Sequence, residues 1–129
     1  GMKILLSSLN KILIILILAL NLFSCTSSIM YSSINIMEFK KIYWHNKKIH
    51  IIDVRTLIEF YGPLGHIKNA THRPLTKIKQ TILDLKNAMN TPIYVICRNG
   101  ERSKHVTEIL IENRIHAINV EGGMKAWNQ

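Results

Sequence analysis

The chain has 129 residues, 47% of them apolar and 19% charged, with a net charge of +9. That length predicts one folded domain, and the composition is too apolar for a disordered chain. The basic residues are scattered, with Lys40-Lys41 and Lys47-Lys48 as the doublets and no basic stripe interleaved with aromatics, so the excess charge does not point to a nucleic-acid partner.

In chain order, the first feature is apolar. Ile12 to Leu20 holds no polar side chain, and Leu22-Phe23 extends the run. Lys3 and Lys11 precede it; Ser24, Cys25 and Thr26 follow. A transmembrane helix needs about 20 apolar residues, and this run is shorter, with cations before it and small polar residues after. That layout predicts an export signal over residues 1–25. Leu22-Phe23-Ser24-Cys25 resembles a bacterial lipobox, in which cleavage precedes the cysteine and that cysteine receives the lipid. The expected localisation is the bacterial cell envelope, periplasmic and held to a membrane through lipid on Cys25. Loss of Lys3 and Lys11 with the signal leaves 15 Lys+Arg against 8 Asp+Glu, a charge of +7 that suits a small anionic substrate.

Residues 26–33 read as a polar tether and residues 34–129 as the folded domain. Ile34–Ile36 is predicted as a short strand, and Met37, Phe39, Ile42 and Tyr43 have helical spacing. Ile49–Val54 is a β-branched apolar run and reads as a buried strand. Thr56 followed by Glu59 is a capping box, and Gly62-Pro63 ends that helix. Thr76–Met89 carries Ile78, Ile82, Leu85, Ala88 and Met89 at helical spacing, broken by Thr91-Pro92. Ile93–Ile96 is a second buried strand. Cys97–Ser103 is a polar turn, Val106, Ile109 and Leu110 mark a helix, Ala117–Val120 is a last strand, and Met124–Trp127 turns helically. Alternating strands and helices imply an α/β fold, a small parallel sheet flanked by helices on both faces. Ligands in such sheets sit beyond the carboxyl ends of strands, where Cys97 falls.

With Cys25 lipidated, Cys97 has no disulfide partner, which marks it as a reactive thiol. Gly100 permits a tight turn whose N–H groups can converge on an anion. The next helix adds the positive end of its dipole, and Arg98 and Arg102 add charge. Each favours the thiolate. His45, His50, His72, His105 and His116 show no metal-ligand spacing, and no cofactor or metal is implied.

Cys97-Arg98-Asn99-Gly100-Glu101-Arg102 resembles the active-site loop of the single-domain rhodanese family. Three other stretches agree: Ile51-Ile52-Asp53-Val54-Arg55 with Glu59-Phe60, Gly65-His66-Ile67-Lys68-Asn69-Ala70, and Glu121-Gly122-Gly123-Met124-Lys125-Ala126-Trp127. The chain departs from the family pattern at Asn69 and at Asn113-Arg114, where the family favours Gly. The resemblance implies a sulfurtransferase. Cys97 accepts a sulfane sulfur from thiosulfate, polysulfide or a persulfide and passes it to a thiol or to cyanide. It also implies that Arg98, Asn99, Gly100, Glu101, Arg102 and Ser103 bind substrate, Ser103 also capping the helix. Asp53 and Arg55 support the loops, with Arg55 expected to pair with Glu59. Related phosphatases place Arg six positions after the cysteine; here Arg102 comes at five, so the loop suits one sulfur better than a tetrahedral oxyanion. Two alternatives share the fold: a persulfide carrier for a protein acceptor, and a binding module without turnover.

Overall fold

The computed structural model describes residues 1–23, 31–87 and 90–129. Cys25, with the lipidation expected there, and Ala88 and Met89 lie outside the described residues.

Helix α1 spans Met2–Phe23. Its apolar side chains face outward, with Leu5 68% and Ile15 64% exposed. The helix takes in Ile4, Leu5, Leu6 and Leu9 before the fully apolar run. Met2–Leu20 is therefore long and apolar enough to cross a membrane by length and composition, although a signal sequence has the same properties. Counted from Ile12 the apolar run is shorter than a membrane span; counted from Met2 the helix is not, and it stays compatible with an export signal.

The domain that follows is built on five parallel strands: β1 (Ser33–Ile34), β2 (His50–Asp53), β3 (Thr71–His72), β4 (Ile93–Ile96) and β5 (Ala117–Val120), in the order β1-β5-β4-β2-β3. The helices are α2 (Ile36–His45), α3 (Leu57–Phe60), α4 (Ile78–Leu85), α5 (Glu101–Glu112) and α6 (Gly123–Trp127), with a 3-10 turn at Leu75–Lys77. All four residues of β4 are buried, as expected of a central strand covered on both faces.

Successive strand side chains point to opposite faces, so β2, β4 and β5 each feed two cores. Ile52, Val95 and Ala117 pack with Val106 and Leu110 of α5 and Leu85 of α4. Ile51, Tyr94, Ile96 and Val120 pack with Phe39 and Tyr43 of α2 and Met124 of α6. Trp127 meets the Phe39 and Tyr43 rings edge-on, at 5.9 and 5.2 Å between centroids. The sheet is thus clamped from both sides, and the carboxyl ends of β2, β4 and β5 are held in a row.

Local sequence explains the element ends. Asn35 accepts the Glu38 N–H to start α2. Thr56 and Glu59 form the reciprocal capping box that starts α3. Helix α5 ends in a Schellman arrangement: Arg114 N–H donates to the Ile111 carbonyl and Ile115 N–H to that of Leu110. Arg114 sits there at φ +62° and Asn69 at φ +73°. Among the described residues these are the non-glycine residues in left-handed backbone, at the two places where the chain departs from the Gly-favouring pattern.

Candidate active site

Strand β4 delivers Cys97 to the sheet's carboxyl edge, and the chain turns through Arg98 and Asn99 into α5. Cys97 is 0% exposed. Its Sγ accepts the Gly100 N–H at 3.1 Å and shares a hydrogen bond with Ser103 Oγ at 3.2 Å. Gly100 reaches this geometry at φ +97°, and a Cβ there would lie 3.1 Å from the Gly122 nitrogen. Of the expected ring of amides, that of Gly100 bonds the sulfur, while that of Glu101 donates to Asn99 Oδ1 at 3.2 Å.

Helix α5 begins at Glu101, three residues earlier than a cap at Ser103 requires, and Gly100 occupies the cap position. Ser103 therefore stands inside the first turn, fully buried, and turns its hydroxyl to the sulfur instead of to a free amide. That corrects its expected role as a cap. Arg98, Asn99 and Glu101 are exposed. Among the described residues Arg98 has no acidic partner.

Arg102 is differently occupied. Its guanidinium grips Glu59 at both carboxylate oxygens, 2.8 and 2.6 Å away. That contact, chiefly the hydrogen bond from Arg102, pulls the Glu59 carboxyl down from 4.5 to about 2. It likewise holds Arg102 above its ordinary value, with the charges of Glu59, Cys97 and Asp53 adding to the effect. Arg55 is not the partner of this carboxylate. It forms a buried pair with Asp53, its Nη2 2.8 Å from Oδ2 and its Nε 2.9 Å from Oδ1. The rest of its guanidinium donates to the backbone carbonyls of Glu59, 3.1 Å, and Gly65, 2.7 Å. Asp53 and Arg55 thus hold α3 and the turn after it, a supporting role. A partnerless charge here would be costly, and each neutralises the other. His66 is a turn residue, its Nδ1 2.9 Å from the Phe60 carbonyl and its ring stacked 3.7 Å from the Phe60 ring.

Two anchors were not read from the sequence as parts of the site. The first is the start of α6. Met124 N–H donates to the Cys97 carbonyl at 2.8 Å, and Lys125 N–H to that of Arg98 at 3.0 Å. Gly123, at φ +56°, lets the two backbones meet: a Cβ would collide with the Cys97 carbonyl oxygen and lie 2.7 Å from that of Arg98. The second is Asn119, 2% exposed on β5, whose Nδ2 donates to the Gly100 carbonyl at 3.3 Å and to Tyr31 Oη at 2.9 Å. An amide in an otherwise apolar strand was the signal that could have found it. The loop is therefore bolted from the side by Glu59, from below by Asn119 and from behind by α6. Its chemistry is that of a single sulfur nucleophile just before the start of a 12-residue helix, with two hydrogen-bond partners fixed on it.

The rhodanese-like domain family matches residues 36–129. The chain is similar to the Bacillus subtilis protein YqhL, 39% identical over 93 residues that make up 70% of this chain and 67% of that one. It is similar also to the Bacillus subtilis putative sulfurtransferase YtwF, 34% identical over 82 residues, 64% of this chain and 76% of that one. Among solved structures, a rhodanese-like domain protein from Staphylococcus aureus superposes with a TM-score of 0.66 at 39% identity, covering 74% of this chain and 90% of the other.

Proposed function

This chain belongs to the rhodanese-like domain family, and from that premise we propose that it is a sulfurtransferase working through a persulfide on Cys97. The observation that carries the reading is the seat of the sulfur, with Gly100 N–H at 3.1 Å and Ser103 Oγ at 3.2 Å, both placed to stabilise it as an anion. In the first step the Cys97 thiolate attacks the outer sulfur of a donor such as thiosulfate. The donor's S–S bond breaks, and its electron pair leaves with sulfite. In the second, a thiolate or cyanide attacks the outer sulfur of the persulfide, and the electron pair returns to Cys97. Neither step requires a general base or a cofactor once the thiolate is formed.

Arg98, exposed and without an acidic partner among the described residues, is the cation that meets an incoming anion. Arg102 acts differently from that expectation: held by Glu59, it fixes the loop and contributes its field. Asn99 and Glu101 shape the turn. Sγ is covered in this conformation, so access of donor and acceptor requires a local opening around Cys97.

The reading extends to the whole chain. Residues 1–25 are an export signal ending at Cys25, residues 26–33 a tether whose last residue, Ser33, already pairs into β1, and residues 34–129 the catalytic domain, presented at a bacterial membrane by lipid on Cys25. Its partners are a small sulfur donor and a thiol or cyanide acceptor, a protein acceptor among the candidates, and not nucleic acid. The outward apolar surface of α1 supports a membrane-associated leader. Recovery of the protein from the aqueous phase of a detergent partition of cells would remove the lipid anchor from this account.

Thiocyanate formation from thiosulfate and cyanide tests the activity. The wild type turns over and Cys97→Ser does not. Equal rates would sink the enzyme reading. A Cys97 persulfide without thiocyanate would replace it with the carrier.

A further inference from the structure

We propose that the outer face of α2 and the turn after it dock the domain onto the anionic headgroup surface of the membrane that holds its leader. The inference rests on the membrane-leader part of the reading above and adds how the folded domain meets that membrane. Helix α2 uses both of its faces. Phe39 and Tyr43 point into the core. Met37, Lys41 and Trp44, spaced i, i+4 and i+7, share the opposite face. Met37 is 64% and Trp44 63% exposed, two large apolar side chains that the fold leaves in water. Lys40 and Lys41 flank them on the helix, and Lys47 and Lys48 follow in the turn. Lys47 Nζ lies 4.8 Å from the centre of the Trp44 ring, so ammonium and indole are presented together. Lys40, at the edge of the patch, donates to the Gln129 carbonyl at 3.2 Å. Among the described residues none of these lysines pairs with a carboxylate. Glu38, the acidic residue of α2, lies in its first turn, at the end away from Trp44, Lys47 and Lys48.

Chemistry selects the occupant. An indole among ammonium groups suits the boundary between water and lipid, where the ring sits at headgroup level and the lysines meet phosphates. Protein interfaces, by contrast, are depleted in lysine at their centre. Chain length supports the same occupant. Residues 24–32 join α1 to β1 and span about 30 Å at most when fully extended. A membrane-held leader therefore keeps the domain within about one domain diameter of the bilayer, where a weak contact suffices. The catalytic loop stays clear of the surface in this pose. Strands β1 and β2 both run toward the edge of the sheet that carries Cys97, so α2, which joins them, returns the chain to the opposite edge. Trp44, Lys47 and Lys48 lie at that return.

The test uses the full chain and vesicles of phosphatidylcholine, alone or mixed with phosphatidylglycerol, whose acyl chains carry bromine to quench tryptophan. Flotation of the vesicles reports anchoring by the leader, and quenching reports contact of Trp44 with the bilayer. The expected result is flotation with both vesicle types and quenching with the anionic ones. Quenching disappears in Trp44→Phe, which keeps Trp127, and weakens as salt rises from about 0.1 to about 1 M. Each lysine near an anionic surface is worth roughly fivefold, so Lys47→Gln combined with Lys48→Gln lowers the ratio of docked to undocked domain about 25-fold. Flotation without quenching gives the face to a protein partner or to solvent; it overturns the proposal and leaves the leader standing. Quenching that survives in Trp44→Phe, or that is undiminished in the lysine variant, overturns it as well. Quenching by anionic vesicles without flotation of zwitterionic ones supports the docking face and refutes the leader as an anchor. Flotation with neither refutes both.

Discussion

The contact between Glu59 and Arg102 joins residues from separate elements, α3 and α5, and Glu59→Gln tests it at one atom. Gln keeps the shape and can still accept the Thr56 N–H in the capping box, so the substitution removes charge rather than the cap. The lost interaction is two charge-assisted hydrogen bonds of 2.8 and 2.6 Å between side chains that are 35% and 25% exposed. Exposed pairs contribute about 0–1 kcal/mol, and bidentate, partly covered ones more, so a loss of about 1–2 kcal/mol is expected. In a domain of this size that lowers Tm by roughly 5–10 °C. The pH dependence has a definite sign. The carboxyl's folded value, about 2, is depressed below its ordinary 4.5. Its contribution is therefore present above pH 4.5 and disappears as pH falls from 4.5 through about 2. Urea unfolding of wild type and Glu59→Gln between pH 3 and pH 8 checks this. The stability gap should be constant from about pH 5 upward and narrow below pH 4.5. A gap that persists undiminished at pH 3, or no gap at pH 7, would refute the reasoning.

Other substitutions probe the loop's remaining anchors. Gly123→Ala forces a methyl against the Cys97 and Arg98 carbonyls and should cost about 2–4 kcal/mol, with sulfur transfer falling alongside Tm. Asp53→Asn leaves the buried Arg55 guanidinium without its counter-charge, an expected loss of about 3–5 kcal/mol by denaturant titration. Arg114→Gly relieves a left-handed residue at the end of α5. It should stabilise the domain by about 0.5–1 kcal/mol, since the strain relieved exceeds the added freedom of the unfolded chain.

Much of the fold was legible because its strands are short apolar runs with clear ends. Ile93–Ile96, bounded by Pro92 and the polar loop, and Ala117–Val120, bounded by Glu121 and Gly122, match the observed β4 and β5 residue for residue. Strand β3 escaped notice, since Thr71 and His72 have no periodicity and are a strand only through pairing with Ile52 and Asp53. The helix expected over Thr76–Met89 is regular over Ile78–Leu85, because its first turn tightens into 3-10 geometry behind Pro74. In the site, the position of Cys97 followed from its place after a buried strand. The contacts that hold it did not. Glu59 and Arg102 are 43 residues apart, and Met124 and Lys125 act through backbone amides that leave no trace in residue type. Ser103 was assigned to a cap because a serine at a helix start ordinarily serves there. The early start of α5 at Glu101 moved it under the sulfur.

The central claim is that the sulfur of Cys97 carries the transferred atom. Intact mass of the full chain after exposure to thiosulfate, with and without subsequent cyanide, tests it most directly. The account predicts a gain of one sulfur that localises to the peptide containing Cys97, vanishes on addition of cyanide with release of thiocyanate, and is absent in Cys97→Ser. An unmodified Cys97 under these conditions, or the same gain in the serine variant, would contradict it.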